Sequence, residues 1–167
     1  MKNGATKKIG LSILAVMIAG IAIAGALRMR PQRMEDGILT RPASPRDGFS
    51  WGYLLYIPER VASPYLLVIP NNTGTVSDDL QVHAKAARNL MEWKKADADA
   101  LGAALLVPVF PRPESIGHVY THALDRDCLQ IQQTEYKRLD LQLVAMIDDA
   151  RKQLSQKGTA LSDQVLL

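Results

Sequence analysis

The sequence predicts an α/β domain, a mostly parallel sheet with flanking helices, preceded by one N-terminal transmembrane or signal helix. Three observations predict it. Two short apolar runs, 66–69 (LLVI) and 103–109 (AALLVPV), are too short for helices and suit strands buried on both faces. Two longer stretches, one between these runs and one after them, place apolar residues at helical spacing, and alternating strands and helices mean a sheet covered on its faces. Ahead of both runs, residues 9–27 (IGLSILAVMIAGIAIAGAL) carry no charge at all.

The N-terminal segment comes first. At 1.5 Å per residue it spans roughly the 30 Å hydrocarbon core of a bilayer. Five isoleucines, three leucines and Val16 contribute roughly −3 to −5 kcal/mol towards insertion, which Gly10, Ser12, Gly20 and Gly25 oppose. Lys2, Lys7 and Lys8 provide a positive cytoplasmic flank. A retained signal-anchor suits the long apolar core; cleavage near Ala26 suits Ala24-Gly25-Ala26. Residues 1–30 are therefore expected as signal-anchor or signal peptide. The rest is expected outside the cytoplasm: single-pass at a membrane, or secreted or periplasmic after cleavage. Hydrophobic residues make up 47% of the 167, many of them in this segment, and the formal charge is only +3. Much of that charge flanks the apolar segment, so no nucleic-acid partner is expected. Cys128, the single cysteine, leaves no intrachain disulfide and no cysteine-rich metal site.

Residues 31–48 carry Pro31, Gly37, Pro42, Pro45 and Gly48 among charges and read as a linker. A partial α/β domain is expected over 49–167. Residues 49–57 (FSWGYLLYI) are β-rich and close at Pro58; residues 66–69 form the next strand, ended by Pro70. A helix then starts at Ser77 as N-cap, with Asp78 and Asp79 in its first turn. Leu80, Ala84, Ala87 and Met91 mark its apolar stripe, and Gly102 stops it. His83 falls near that stripe and reads as a boundary histidine. After the strand at 103–109 comes a long irregular stretch, 110–128. A second helix, about 134–156, shows Leu139, Leu143, Met146, Ile147, Ala150 and Leu154 on one face, with Gly158 after it. Val165, Leu166 and Leu167 begin a further strand.

Ligands of open α/β sheets bind beyond the carboxyl ends of the strands. Two loops qualify. The first is Asn71, Asn72, Thr73 and Gly74. It lacks a Gly-rich phosphate cradle, and Asp78 and Asp79 would repel a phosphate at the helix start. Its asparagines and Gly74 permit the backbone angles of an oxyanion donor, and equally of a plain strand-to-helix turn. The second is the long loop with His118, Tyr120 and His122, the substrate-loop candidates; loops of that length in compact domains are usually functional. Glu114, His118 and His122 are spaced by four, but Pro113 and Gly117 oppose a regular helix there, so no metal and no cofactor is expected. Hydrogen bonds from these residues that merely tie the loop down are the plainer alternative. None of the eight serines is placed on a strained strand-to-helix turn.

Three segments together, 66–74 with Ser77, Asp78, Asp79 and His83; 107–113 (VPVFPRP); and 120–127 (YTHALDRD), resemble secreted esterase- and depolymerase-like members of the α/β-hydrolase superfamily. The resemblance runs over about residues 50–167 and implies the N-terminal half of such a fold. It implies that 66–69 is the family's third strand, that Asn71, Asn72, Thr73 and Gly74 form the oxyanion loop, and that 163–167 leads to the nucleophile elbow. It further implies that the Gly-x-Ser-x-Gly elbow, the acid and the catalytic histidine all come later in the chain. The expected function is then a membrane-anchored or secreted carboxylic-ester hydrolase, acting on a small-molecule or polymeric ester, with no catalytic residue assigned within 1–167 and no activity expected of these residues alone. A complete small membrane-anchored α/β binding module without catalysis is the alternative.

Overall fold

A computed structural model of the chain describes residues 33–70, 75–115, 128–132 and 135–167. Residues 9–27 lie outside these; among the described residues no helix is long and apolar enough to cross a membrane. The described residues form a mixed α/β domain: a six-stranded mixed sheet and two helices.

Strands β1 (Arg33–Glu35) and β2 (Ile38–Arg41) make an antiparallel hairpin. Its turn is Asp36-Gly37, at φ 51° and 77°, the positive angles that a two-residue type I′ turn requires and Asp-Gly supplies. Strand β3 (Tyr53–Tyr56) pairs antiparallel with β2 and with β5 (Ala104–Pro108). Strand β4 (Leu66–Val68) runs parallel to β5, and β6 (Val165–Leu166) parallel to β4. The order across the sheet is β1-β2-β3-β5-β4-β6.

Two expectations are corrected by this topology. The sheet is mixed rather than mostly parallel, with three antiparallel pairings against two parallel ones. A buried apolar run identifies a strand but not its direction; β3 takes its direction from its two neighbours. The segment 31–48 is also no linker from Arg33 onward, because it holds the hairpin and a 3-10 turn at Pro45–Asp47 closed by a bridge from Ser44 to Phe49. Strands of three and four residues that include Glu35, Thr40 and Arg41 show no alternation long enough to read.

Helix α1 (Leu80–Leu101) is capped by Asp79, whose side chain accepts the Gln81 N–H at 2.9 Å. Ser77, the expected cap, sits two residues earlier and accepts the Asp79 N–H at 3.1 Å. Gly102, left-handed at φ 59°, ends the helix as expected. Helix α2 (Leu139–Gln156) starts later than the expected 134, after Arg138 in the left-handed region at φ 53°. The Arg138 guanidinium forks onto Asp140 at 2.9 and 2.7 Å, closing a local ring at the helix start where a capping side chain would otherwise stand.

Side chains alternate along each strand, and this splits the core in two. Leu39, Tyr53, Leu55, Leu66, Val68, Ala104 and Leu106 pack with the whole expected face of α2, Leu139, Leu143, Met146, Ile147, Ala150 and Leu154. On the other face, Ile38, Leu54, Tyr56, Leu105 and Val107 pack with Ala87, Met91 and Ala98 of α1. Each large apolar side chain so buried contributes roughly 1.5–3 kcal/mol.

A polar tie fastens α2 to the sheet. Asp149 accepts two hydrogen bonds from Arg41 of β2, at 2.7 and 2.8 Å, and one from the Tyr53 hydroxyl of β3 at 2.6 Å. Burial alone would push the Asp149 carboxyl up, but these bonds outweigh it and hold the group below the usual carboxylate range. Tyr53 is pushed far above its ordinary value, by burial first and then by the carboxylate.

Candidate functional site

Strands β4 and β5 are parallel neighbours, yet their carboxyl ends lead to helices on opposite faces of the sheet: β4 to α1, β5 to α2. Connections that part in this way leave a crevice at the strand ends, where open α/β sheets bind ligands. Both candidate loops follow these strand ends in the chain. Asn71, Asn72, Thr73 and Gly74 follow β4 and lie outside the described residues, as do His118, Tyr120 and His122 after β5. The geometry of the site is therefore carried by the segments that flank them.

After β4 the described chain resumes at Thr75; after β5 it runs to Ser115. The two segments are bound together. The Ser77 N–H donates to the Arg112 carbonyl at 3.1 Å, and the Ser115 N–H donates to the Asp78 carboxylate at 3.1 Å. That backbone donor is the first cause holding the Asp78 carboxyl below its ordinary range. His83, from the first turn of α1, reaches both segments: its Nε2 lies 2.8 Å from the Ser77 carbonyl oxygen and 3.3 Å from the Arg112 backbone nitrogen. Arg112 is 6% exposed, between Pro111 and Pro113, which lack backbone donors.

The lead-in to β3 borders the same edge, because Tyr53 pairs with Pro108 at the carboxyl end of β5. The Gly52 carbonyl accepts the Val109 N–H at 2.8 Å. A Cβ on Gly52 would stand 2.6 Å from the Arg41 carbonyl oxygen, so only glycine fits there. The start of α2 closes the rim. Trp51 donates from Nε1 to the Glu135 carbonyl at 2.9 Å, and its ring lies 5.0 Å from that of Tyr136. Gln142 accepts the Ser50 N–H at 2.8 Å and donates to the carbonyls of Glu135 and Lys137 at 2.9 and 3.1 Å. Burial raises the Tyr136 hydroxyl, and the charges of Glu135 and Asp78 raise it further.

One sequence pattern takes its meaning from this geometry. Gly48-Phe49-Ser50-Trp51-Gly52 has the form Gly-x-Ser-x-Gly. In hydrolases that pattern works because the serine tops a strand-to-helix turn. Here it runs out of a 3-10 turn into an antiparallel strand, Phe49 is buried, and the Ser50 N–H is spent on Gln142. Beside Ser50 lies an open depression of about 320 Å³ lined by Pro45, Gly48, Lys137, Arg138, Leu141 and Gln142, which brings no imidazole or carboxylate to the serine. His83 meets the carbonyl of Ser77, not its hydroxyl. Among the described residues no Ser-His pair is assembled, and no group of three His, Cys, Asp or Glu could hold a metal.

Sequence reasoning missed three participants. His83 is not at a boundary but 1% exposed, on a buried line with Ala87, Met91 and Ala98, whereas Leu80 of the expected stripe is 41% exposed. Arg112 carried a signal in its two flanking prolines, which set a charged residue into a stiff loop. The Trp51 and Tyr136 pair had none, since the two rings come from segments 85 positions apart. Comparison of the chain with protein-family models, with curated proteins and with solved structures finds no match.

Proposed function

We propose that these residues form the oxyanion-loop half of a carboxylic-ester hydrolase of the α/β-hydrolase type, anchored at a membrane through residues 9–27 or released by cleavage near Ala26. The observation that supports this is the pairing of β4 with β6. They are parallel neighbours in the register Leu66 with Val165 and Leu67 with Leu166. The chain after Val68 and the chain after Leu166 therefore leave the sheet side by side, about 5 Å apart. In the hydrolase plan that the sequence resembles, the oxyanion loop comes after the first of these strands and the nucleophile elbow after the second. Backbone donors from 71–74 would then stand beside the acyl carbon attacked by an elbow serine, where they stabilise the developing oxyanion. The parting of the β4 and β5 connections supports the reading, because open α/β sheets bind ligands beyond such strand ends.

On this reading residues 1–167 supply binding and oxyanion groups but no nucleophile. Treating the full chain in mild detergent with a fluorophosphonate probe should give no covalent label, and Ser50→Ala should behave as the parent does. Stoichiometric labelling that Ser50→Ala abolishes would place the nucleophile at Ser50 and overturn the assignment.

A binding module without catalysis is the second reading, and one observation favours it: helices already cover both faces of the sheet over two closed cores. A saturable ester or acid ligand whose binding is unaffected by any residue beyond 167 would favour that reading.

A further inference from the structure

We infer that His83 is a positioning residue that holds the lead-in of α1, at Ser77, where it pairs with the Arg112 segment. The inference rests on the reading that the site lies at this edge of the sheet, and it deepens that reading by naming what holds residues 75–79, which follow the candidate oxyanion loop.

Two contacts conflict at one atom. A single nitrogen, Nε2 of His83, lies 2.8 Å from a carbonyl oxygen, which can only accept, and 3.3 Å from a backbone N–H, which can only donate. An imidazole nitrogen serves one of these at a time. The shorter contact decides: the proton is on Nε2 and is donated to the Ser77 carbonyl. The other nitrogen agrees. Nδ1 is buried and has no hydrogen-bond partner among the described residues; as a bare acceptor it costs less there than a buried, unbonded N–H would.

The position of the bond gives it its consequence. Ser77 already donates its own N–H to the Arg112 carbonyl, so the imidazole completes a second tie at the same residue. Ser77 lies three residues after Gly74, and Arg112 begins the long loop. With α1 held at Ala87 and Met91 in the core, the ring sets the segment after 71–74 against a fixed frame. A leucine of similar volume would fill the space but make no tie, whereas glutamine carries an N–H donor at nearly the reach of Nε2.

The test uses the full chain in detergent micelles, with backbone amide exchange and imidazole nitrogen NMR. In the unmutated chain the proton should be found on Nε2. In His83→Leu, amides of 75–79 and 110–115 should exchange about five- to tenfold faster, the loss of one hydrogen bond of ordinary net strength, while β3 and β5 stay protected. His83→Gln should restore most of that protection. A proton on Nδ1 overturns the tie, and this result needs no variant to fold. Equal protection in His83→Leu, or glutamine failing as leucine does, overturns it too. None of these readouts uses ester turnover, so the tie at Ser77 and the hydrolase reading stand or fall separately.

Discussion

Asp149→Ala removes the acceptor that joins β2, β3 and α2. The hydrogen bonds lost include two from the Arg41 guanidinium, one from Tyr53 and one from the Gln153 side chain. Bonds to a charged partner are worth about 1.5–3 kcal/mol each, but they do not add when they share one acceptor. Removing one member of a buried ion pair typically costs about 3–5 kcal/mol, because the survivor is left uncompensated. Here the Arg41 side chain keeps 16% of its exposure and Asp149 9%, so water screens the orphaned guanidinium and the lower end, about 3 kcal/mol, is expected. For a folded unit of this size that is a fall in Tm of roughly 10 °C. Tyr53→Phe should cost less, about 1 kcal/mol, since Asp149 keeps both arginine bonds. The assay is urea unfolding of the full chain in mild detergent, followed by the fluorescence of Trp51, which sits just before β3. The pH dependence gives an independent check. The folded-state value of Asp149 is depressed, so its contribution is complete above the unfolded value of about 3.9 and is lost as pH falls through the lower folded value. A loss under about 1 kcal/mol in Asp149→Ala, or parent and variant showing the same acid limb, would refute the reasoning.

Two further outcomes are expected. Gly52→Ala drives a Cβ into the Arg41 carbonyl at 2.6 Å and should destabilise by about 1–3 kcal/mol, measured in the same unfolding assay; a neutral result would mean that β2 and the lead-in to β3 can separate freely. The carboxyl of Asp78 is held below its ordinary range by the Ser115 N–H, so the protection of that amide should be constant from neutral pH down to about pH 4 and fall only below it. Loss of protection already near pH 5 would mean that the bond does not form in solution.

The sequence carried the two helices and the central strands because each was bounded and periodic. Pro64 and Pro70 frame β4, Gly102 separates α1 from β5, and the α2 face from Leu139 to Leu154 is buried as its spacing predicts. The hairpin of β1 and β2 was hidden in short charged strands, and its one signal, Asp36-Gly37, was swallowed by a proline-rich stretch. The direction of β3 is a tertiary matter that no local pattern encodes. On α1, the alanines at 84 and 87 fit more than one stripe, so the periodicity left its rotation undetermined and His83 was put at an edge. The candidate site was read as two loops beyond strand ends, and the residues named for it lie outside the described residues. The contact of His83 with the Ser77 carbonyl was not legible, because it ends on a backbone group, and backbone groups leave no mark in residue types. The pattern at 48–52 shows the converse: the letters of a catalytic motif without the strand-to-helix turn that gives them their chemistry.

The most direct test of the hydrolase reading is the coding DNA beyond codon 167, read in all three frames. A Gly-x-Ser-x-Gly is predicted within about five residues of Leu167, on the turn that β6 would feed, with an acid and a histidine further on. Sequence there with no such elbow in any frame would contradict that reading, and the binding-module reading would then be the one to test.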